Sequence, residues 1–117
     1  MMKRNEIVEL SFDFALQIVA YCEGLELNKK FVVANQLLKS GTSIGANVRE
    51  AQNAESIGDF IHKMKLAAKE VEETEYWLLI CDKSENYPST SDLLQRLDSI
   101  KKLLSKIISS TKKKIKN

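Results

Sequence analysis

Few residues in this chain have chemical reach, and those that do are spaced for helices. His62 is the only histidine, three residues after Asp59. Asp-x-x-His is half of a di-metal motif found inside some helical bundles, which needs two carboxylate–His motifs and two more carboxylates. One histidine cannot supply both halves, so no metal site is expected, and His62 reads as a surface or interface residue. Ser56, Asp59 and His62 form a nominal Ser/Asp/His set, but Ser-x-x-Asp ahead of an apolar run is a helix-capping pattern. Glu70, Glu72, Glu73 and Glu75 are an acidic run without a loop or strand to aim a carboxylate pair at a substrate. Gly41 and Gly45 sit in a helical pattern without GxxxxGKS/T or GxGxxG, so no phosphate-cradling loop is present. Cys22 and Cys81 have neither a CxxC spacing nor partnering histidines, and read as reduced thiols packed as small apolar groups. No nucleophile, base and orienting group converge. The chain is not expected to be an enzyme, and no cofactor is implied.

The elements that carry these residues follow from apolar periodicity. Ile7, Leu10, Phe14, Ile18, Tyr21 and Leu25 step by three and four, which is helical; Phe12, Leu16 and Val19 widen that stripe toward a further neighbour. Gly24 is a plausible stop and Asn28 a plausible N-cap for the next helix. A second helix is predicted from about Lys29 into the mid-fifties, with Ala34, Leu37, Leu38, Gly41, Ile44, Gly45, Val48 and Ala51 on its core arc. A break at Gly41-Thr42-Ser43 is the rival, since each interior Gly costs about 1 kcal/mol relative to Ala. The apolar stripe keeps its phase across both glycines, which favours an unbroken helix whose small residues admit a close neighbour.

Ser56 opens a third helix, from Ile57 to about Lys83. One arc carries Phe60, Met64, Ala67, Val71, Thr74, Leu78 and Cys81; a second carries Leu66, Glu70, Glu73, Trp77 and Ile80. Ser84 to Pro88 is the clearest loop. Ser89, with Thr90 and Ser91 as rivals, caps a fourth helix built on Leu93, Leu97, Ile100, Leu104 and Ile107. Its pattern decays after Ser109-Ser110-Thr111 into the stretch 112–117, which is expected to fray. Four amphipathic helices with short links predict an all-α fold, an antiparallel up-down-up-down four-helix bundle. The 117 residues make one domain, with a basic C-terminal tail at about 110–117. No signal peptide or membrane span is read, so a cytoplasmic protein without membrane contact is expected.

Charge is unevenly placed. Net charge is +2, yet residues 101–117 hold seven lysines and no acid. The first 100 residues carry the remaining 11 basic groups against 16 acidic ones. Lys3, Arg4, Lys112, Lys113, Lys114 and Lys116 are therefore the candidate nucleic-acid contacts. In an up-down bundle both termini lie at one end, so the two clusters add. No aromatic platform accompanies them, which predicts backbone contact without base readout.

The second helix poses a different question. Opposite its main stripe lie Gln36, Ser40, Ser43, Asn47 and Glu50, a row with little charge for an exposed helix. The row is read as covered by a neighbouring subunit, with Arg49 reaching a carboxylate such as Glu70 or Glu73. Leu66, Trp77 and Ile80 complete that candidate oligomer interface.

Certain stretches also resemble a known family. They are Gln36-Leu37-Leu38, Thr42-Ser43-Ile44-Gly45-Ala46-Asn47-Val48-Arg49-Glu50-Ala51, Asp59-Phe60, and Ala67-x-x-Glu70 with Glu73-Thr74-x-Tyr76-Trp77-Leu78. Together they resemble the bacterial four-helix-bundle family encoded in 23S rRNA intervening sequences, over nearly the whole chain. That family is similar in fold to the accessory variability protein of diversity-generating retroelements, which binds nucleic acid and the reverse transcriptase. The resemblance implies an antiparallel four-helix bundle, a homopentameric ring, and a molecular function that is largely undefined but suggestive of nucleic-acid binding. Two functions are carried forward. One is a ring-forming accessory protein that contacts RNA or DNA backbone. The other is a structural or protein-interaction scaffold with a protein partner and no nucleic-acid role.

Overall fold

The computed structural model describes residues 5–116, with the side chain of Lys116 outside the described set. Four helices follow in order: α1 (Glu6–Leu27), α2 (Phe31–Ala51), α3 (Ile57–Lys83) and α4 (Ser91–Lys116). Each packs on its neighbours in the cycle α1–α2–α3–α4–α1, and neither diagonal pair brings Cα atoms within 8 Å. With short links this is the antiparallel up-down-up-down bundle that the periodicity predicts.

The predicted core arcs form the interior. Phe14, Ile18, Leu25, Leu37, Ile44, Val48, Met64, Val71, Leu78, Leu97, Ile100 and Leu104 are fully buried. Helix α2 is unbroken. Its glycines face α1: a methyl at Gly41 would lie 2.8 Å from Ile18 Cγ2, and one at Gly45 3.3 Å from the Ser11 carbonyl oxygen. The small residues therefore set how closely α1 and α2 approach.

Helix ends differ from expectation in three places. Gly24 does not stop α1, which runs on to Leu27. Asn28 caps the end of α1 instead of opening α2; its Nδ2 donates to the Gly24 carbonyl at 3.0 Å. Lys29 takes φ 61, and the Lys30 and Lys29 amides donate back to Leu25 and Glu26 at 2.9 Å each. That is a Schellman turn with lysine in the position glycine usually fills. Helix α2 stops at Ala51, short of the mid-fifties. At the far end α4 stays helical to Lys116, beyond the expected fraying point.

The α3–α4 link is held from inside. Thr90 is fully buried. Its hydroxyl donates to the Leu78 carbonyl at 2.7 Å and its amide donates to Asp82 Oδ1 at 3.2 Å. Tyr21 on α1 donates to the Pro88 carbonyl at 2.8 Å, tying the same loop to the opposite side of the bundle.

Candidate nucleic-acid and assembly surfaces

The capping pattern accounts for the nominal triad. Ser56 Oγ accepts from the Asp59 amide at 3.0 Å, and Asp59 Oδ2 accepts from the Glu55 amide at 3.2 Å. Both groups are spent on the start of α3, and His62 is exposed. Among the described residues no group of three or more His, Cys, Asp or Glu could hold a metal. No described helix is long and apolar enough to cross a membrane. Cys22 and Cys81 are free and buried; burial pushes the Cys22 thiol up to about 12 and raises Cys81 as well. Thiols held neutral in this way are poor nucleophiles.

The basic end is an extension of the bundle. Leu10 and Ile100 line one crevice between α1 and α4. Beyond that level α4 continues for about 24 Å, while α1 extends for only about 6 Å, at 1.5 Å per residue. Ala68 and Leu104 share another crevice, and from there α3 and α4 run on for nearly equal lengths. The last turns of α4 thus pass the start of α1 with the first turns of α3 alongside. Lys112, Lys113 and Lys114 are exposed on this projection, at a helix C-terminus whose partial negative charge favours cations. Two other lysines of α4 are engaged lower down. Lys101 bridges Glu72 at 3.0 Å and Glu75 at 3.7 Å; Lys102 pairs with Asp98 at 2.9 Å. Lys3 and Arg4 lie outside the described residues.

The expected interface row on α2 is largely satisfied within its own chain. Ser40 is buried, and its hydroxyl faces the Leu37 carbonyl at 3.4 Å. Ser43 donates to the Lys39 carbonyl at 2.6 Å, and Asn47 Nδ2 to the Ser43 carbonyl at 2.9 Å. Glu50 pairs with Lys63 of α3 at 3.2 Å. Only Gln36 and Glu50 of the row are exposed. The row runs along the α2–α3 seam and faces the second arc of α3, where Leu66, Glu70, Trp77 and Ile80 are half-buried and Glu73 is exposed. The two sets named from sequence are brought together, but by the fold of one chain. Ser40 is therefore no contact for another subunit.

Arg49 does not reach Glu70 or Glu73 within the chain. It lies on the other edge of α2, with its Cζ 5.8 Å from the centre of the Phe12 ring. The cation that Glu70 senses from α2 is Lys39. Burial is the main cause that raises the Glu70 carboxyl above its ordinary range; Glu73 adds to it, and Lys69 and Lys39 oppose it.

Sequence reasoning gave less weight to the outer side of α1. Phe12, Leu16 and Val19 are 51%, 55% and 37% exposed. Beside them Val8, Phe12, Ala15, Thr42, Gly45, Ala46 and Arg49 line an open crevice of about 250 Å³. The signal was present in the widened stripe of the first helix, which gives one helix more apolar residues than one core can take.

Comparison with the curated proteins gives no match. Among solved structures, the chain is similar to a protein of unknown function from the S23 ribosomal protein family of Bacteroides thetaiotaomicron VPI-5482. The two are 42% identical, with a TM-score of 0.83, over 87% of this chain and 97% of that one. The model of the 23S rRNA-intervening sequence protein family matches residues 3–106, the whole bundle short of the last turns of α4. This chain belongs to the 23S rRNA-intervening sequence protein family.

Proposed function

We propose that this protein is a non-enzymatic, self-associating accessory protein of the cytoplasm that holds the phosphate backbone of RNA or DNA with its basic end. The observation that carries the reading is the run Lys112–Lys114 on a projecting helix end, in a chain with no acid after Asp98. Lysines without aromatic neighbours suit phosphate contact, not base readout. A homopentameric ring with the bundle ends aligned would set five such clusters on one face and multiply a weak contact. The likeness in fold of the family to the retroelement accessory protein, as the sequence resemblance implies it, supports the same reading.

The test is binding of labelled RNA and DNA as a function of salt, with the full chain and with residues 110–117 removed. Affinity is expected to fall steeply with salt. Removing four lysines lowers the slope of log K against log salt by about 3 to 4 units. No salt dependence, or a slope indifferent to the truncation, refutes nucleic-acid binding by this end. The exposed apolar row on α1 favours a second reading, a protein-interaction scaffold. Capture experiments that return nucleic acid and no protein partner count against that alternative.

A further inference from the structure

We infer that the crevice between α1 and α2 is a binding site for a small aryl carboxylate, which is held by Arg49 and seated against Phe12.

Arg49 is exposed, and no carboxylate or carbonyl is bonded to its guanidinium among the described residues. Its partner within the chain is a ring, with Cζ 5.8 Å from the centre of Phe12. A cation–π contact takes up charge and leaves the five N–H donors for other acceptors. An exposed arginine is ordinary by itself, since water serves its donors. This one stands at the edge of a crevice of about 250 Å³ whose walls include Phe12, Ala15, Gly45 and Ala46. Thr42 is the other polar side chain in the lining. Its hydroxyl donates to the Leu38 carbonyl at 2.7 Å, so it has lone pairs to offer and no proton to give.

Formal charge at the crevice is of one sign. Asp13 faces the other edge of α1, in the crevice toward α4. Glu9, one turn before Asp13, lies on that same side at about 100° per residue. Glu50 is drawn toward α3, where it pairs with Lys63 at 3.2 Å. One turn past Arg49 the neutral pair Asn5 and Gln52 bridges the seam, with Asn5 Nδ2 donating to Gln52 Oε1 at 2.9 Å.

These features select a ligand class. The planar fork of Arg49 matches a carboxylate with two parallel hydrogen bonds. The rest of the lining offers apolar contact. An apolar cavity of about 150 Å³ takes one benzene ring, so about 250 Å³ has room for an arene with its carboxylate at the Arg49 end. The face of Phe12 favours a flat ring over a flexible chain. Inorganic phosphate would meet the cation and leave the crevice empty. A neutral arene would fill the crevice and leave the donors of Arg49 to water. The site is separate from Lys112–Lys114 and does not depend on nucleic-acid binding by that end.

The test is titration of the isotope-labelled full chain with naphthoate, followed by amide NMR shifts, with helicity checked by circular dichroism. Saturable shifts are expected, centred on residues 8–15 and 42–49. Arg49→Gln should weaken binding by about tenfold to a hundredfold, the loss of a charge-assisted pair. Arg49→Lys should restore only part, because a point charge lacks the fork. Ala46→Leu keeps the cation, fills the crevice and should also weaken binding. Naphthamide, of the same shape without the charge, should bind the wild type about as weakly as naphthoate binds Arg49→Gln. Removing residues 110–117 should change none of this. Absence of saturable shifts overturns the site, as does equal affinity for wild type and a folded Arg49→Gln chain. Shifts confined to α4 that vanish on truncation overturn it too, and leave the basic end standing as an anion site. Crevice amides that respond to protein concentration and not to naphthoate also overturn it, in favour of a second copy of the chain over this crevice.

Discussion

At Gly41 an added methyl would stand 2.8 Å from Cγ2 and 2.9 Å from Cγ1 of Ile18, a fully buried side chain. Alanine gains about 1 kcal/mol of helix propensity over glycine, but overpacking a filled core costs about 1 to 3 kcal/mol. Gly24 lies in α1 with nothing within 4 Å of the same methyl. Urea unfolding should therefore separate the two glycines by sign. Gly41→Ala is expected to lose stability, and Gly24→Ala to gain up to about 1 kcal/mol. Equal effects would mean that the α1–α2 approach is not set by Gly41. Glu70 offers a test by pH. Its folded carboxyl is raised above the ordinary range, mainly by burial, so folding favours the protonated form. Stability linked to this group is fully present below the ordinary carboxylate value and is lost as pH rises through the folded value. Glu70→Gln mimics the protonated state and should raise the melting temperature at neutral pH, with the gain shrinking as the buffer is acidified through the carboxylate range. A gain that is independent of pH would refute this assignment.

Elements are where reading the sequence succeeded most and where its particular failures have clear causes. Every helix was legible, because steps of three and four run unbroken through Ile7–Leu25, Ala34–Ala51, Phe60–Cys81 and Leu93–Ile107. Where helices ended was less so. Asn28 can cap either the end of α1 or the start of α2, and only the turn at Lys29 decides which. The row Ser40–Ser43–Asn47 was legible as uncharged but not as self-satisfied. Short hydroxyl and amide side chains on a helix can bond the carbonyls one turn back, and these do. Residues opposite one stripe of α2 are also not all outward, because α2 packs on both α1 and α3. Thr90 was legible only as one of three caps for α4, yet its hydroxyl bonds α3. Thr90→Val keeps the shape and removes that hydrogen bond, and should cost about 1 kcal/mol in chemical denaturation. No loss of stability would show that the Asp82 contact and packing alone hold the link.

For the molecule as a whole, fold and family were within reach of the sequence, because a distinctive set of motifs spreads across α2 and α3. The candidate surfaces were only partly so. The lysine run was legible as composition, and its position past the start of α1 emerged from the relative stagger of the helices. That stagger has a further consequence. The four-helix part of the bundle is closed on itself, whereas the last turns of α4 are supported by α3 alone. Local free energy of opening scales with the buried contacts that opening breaks. Protection against amide exchange should therefore decline along α4 from the well-buried Leu97–Leu104 layer toward Ile115, which is 52% exposed. A polyanion seated on Lys112–Lys114 would then do more than neutralise charge. It would draw on the reserve of helix order at that end, so that part of its binding energy is returned as folding of the tip.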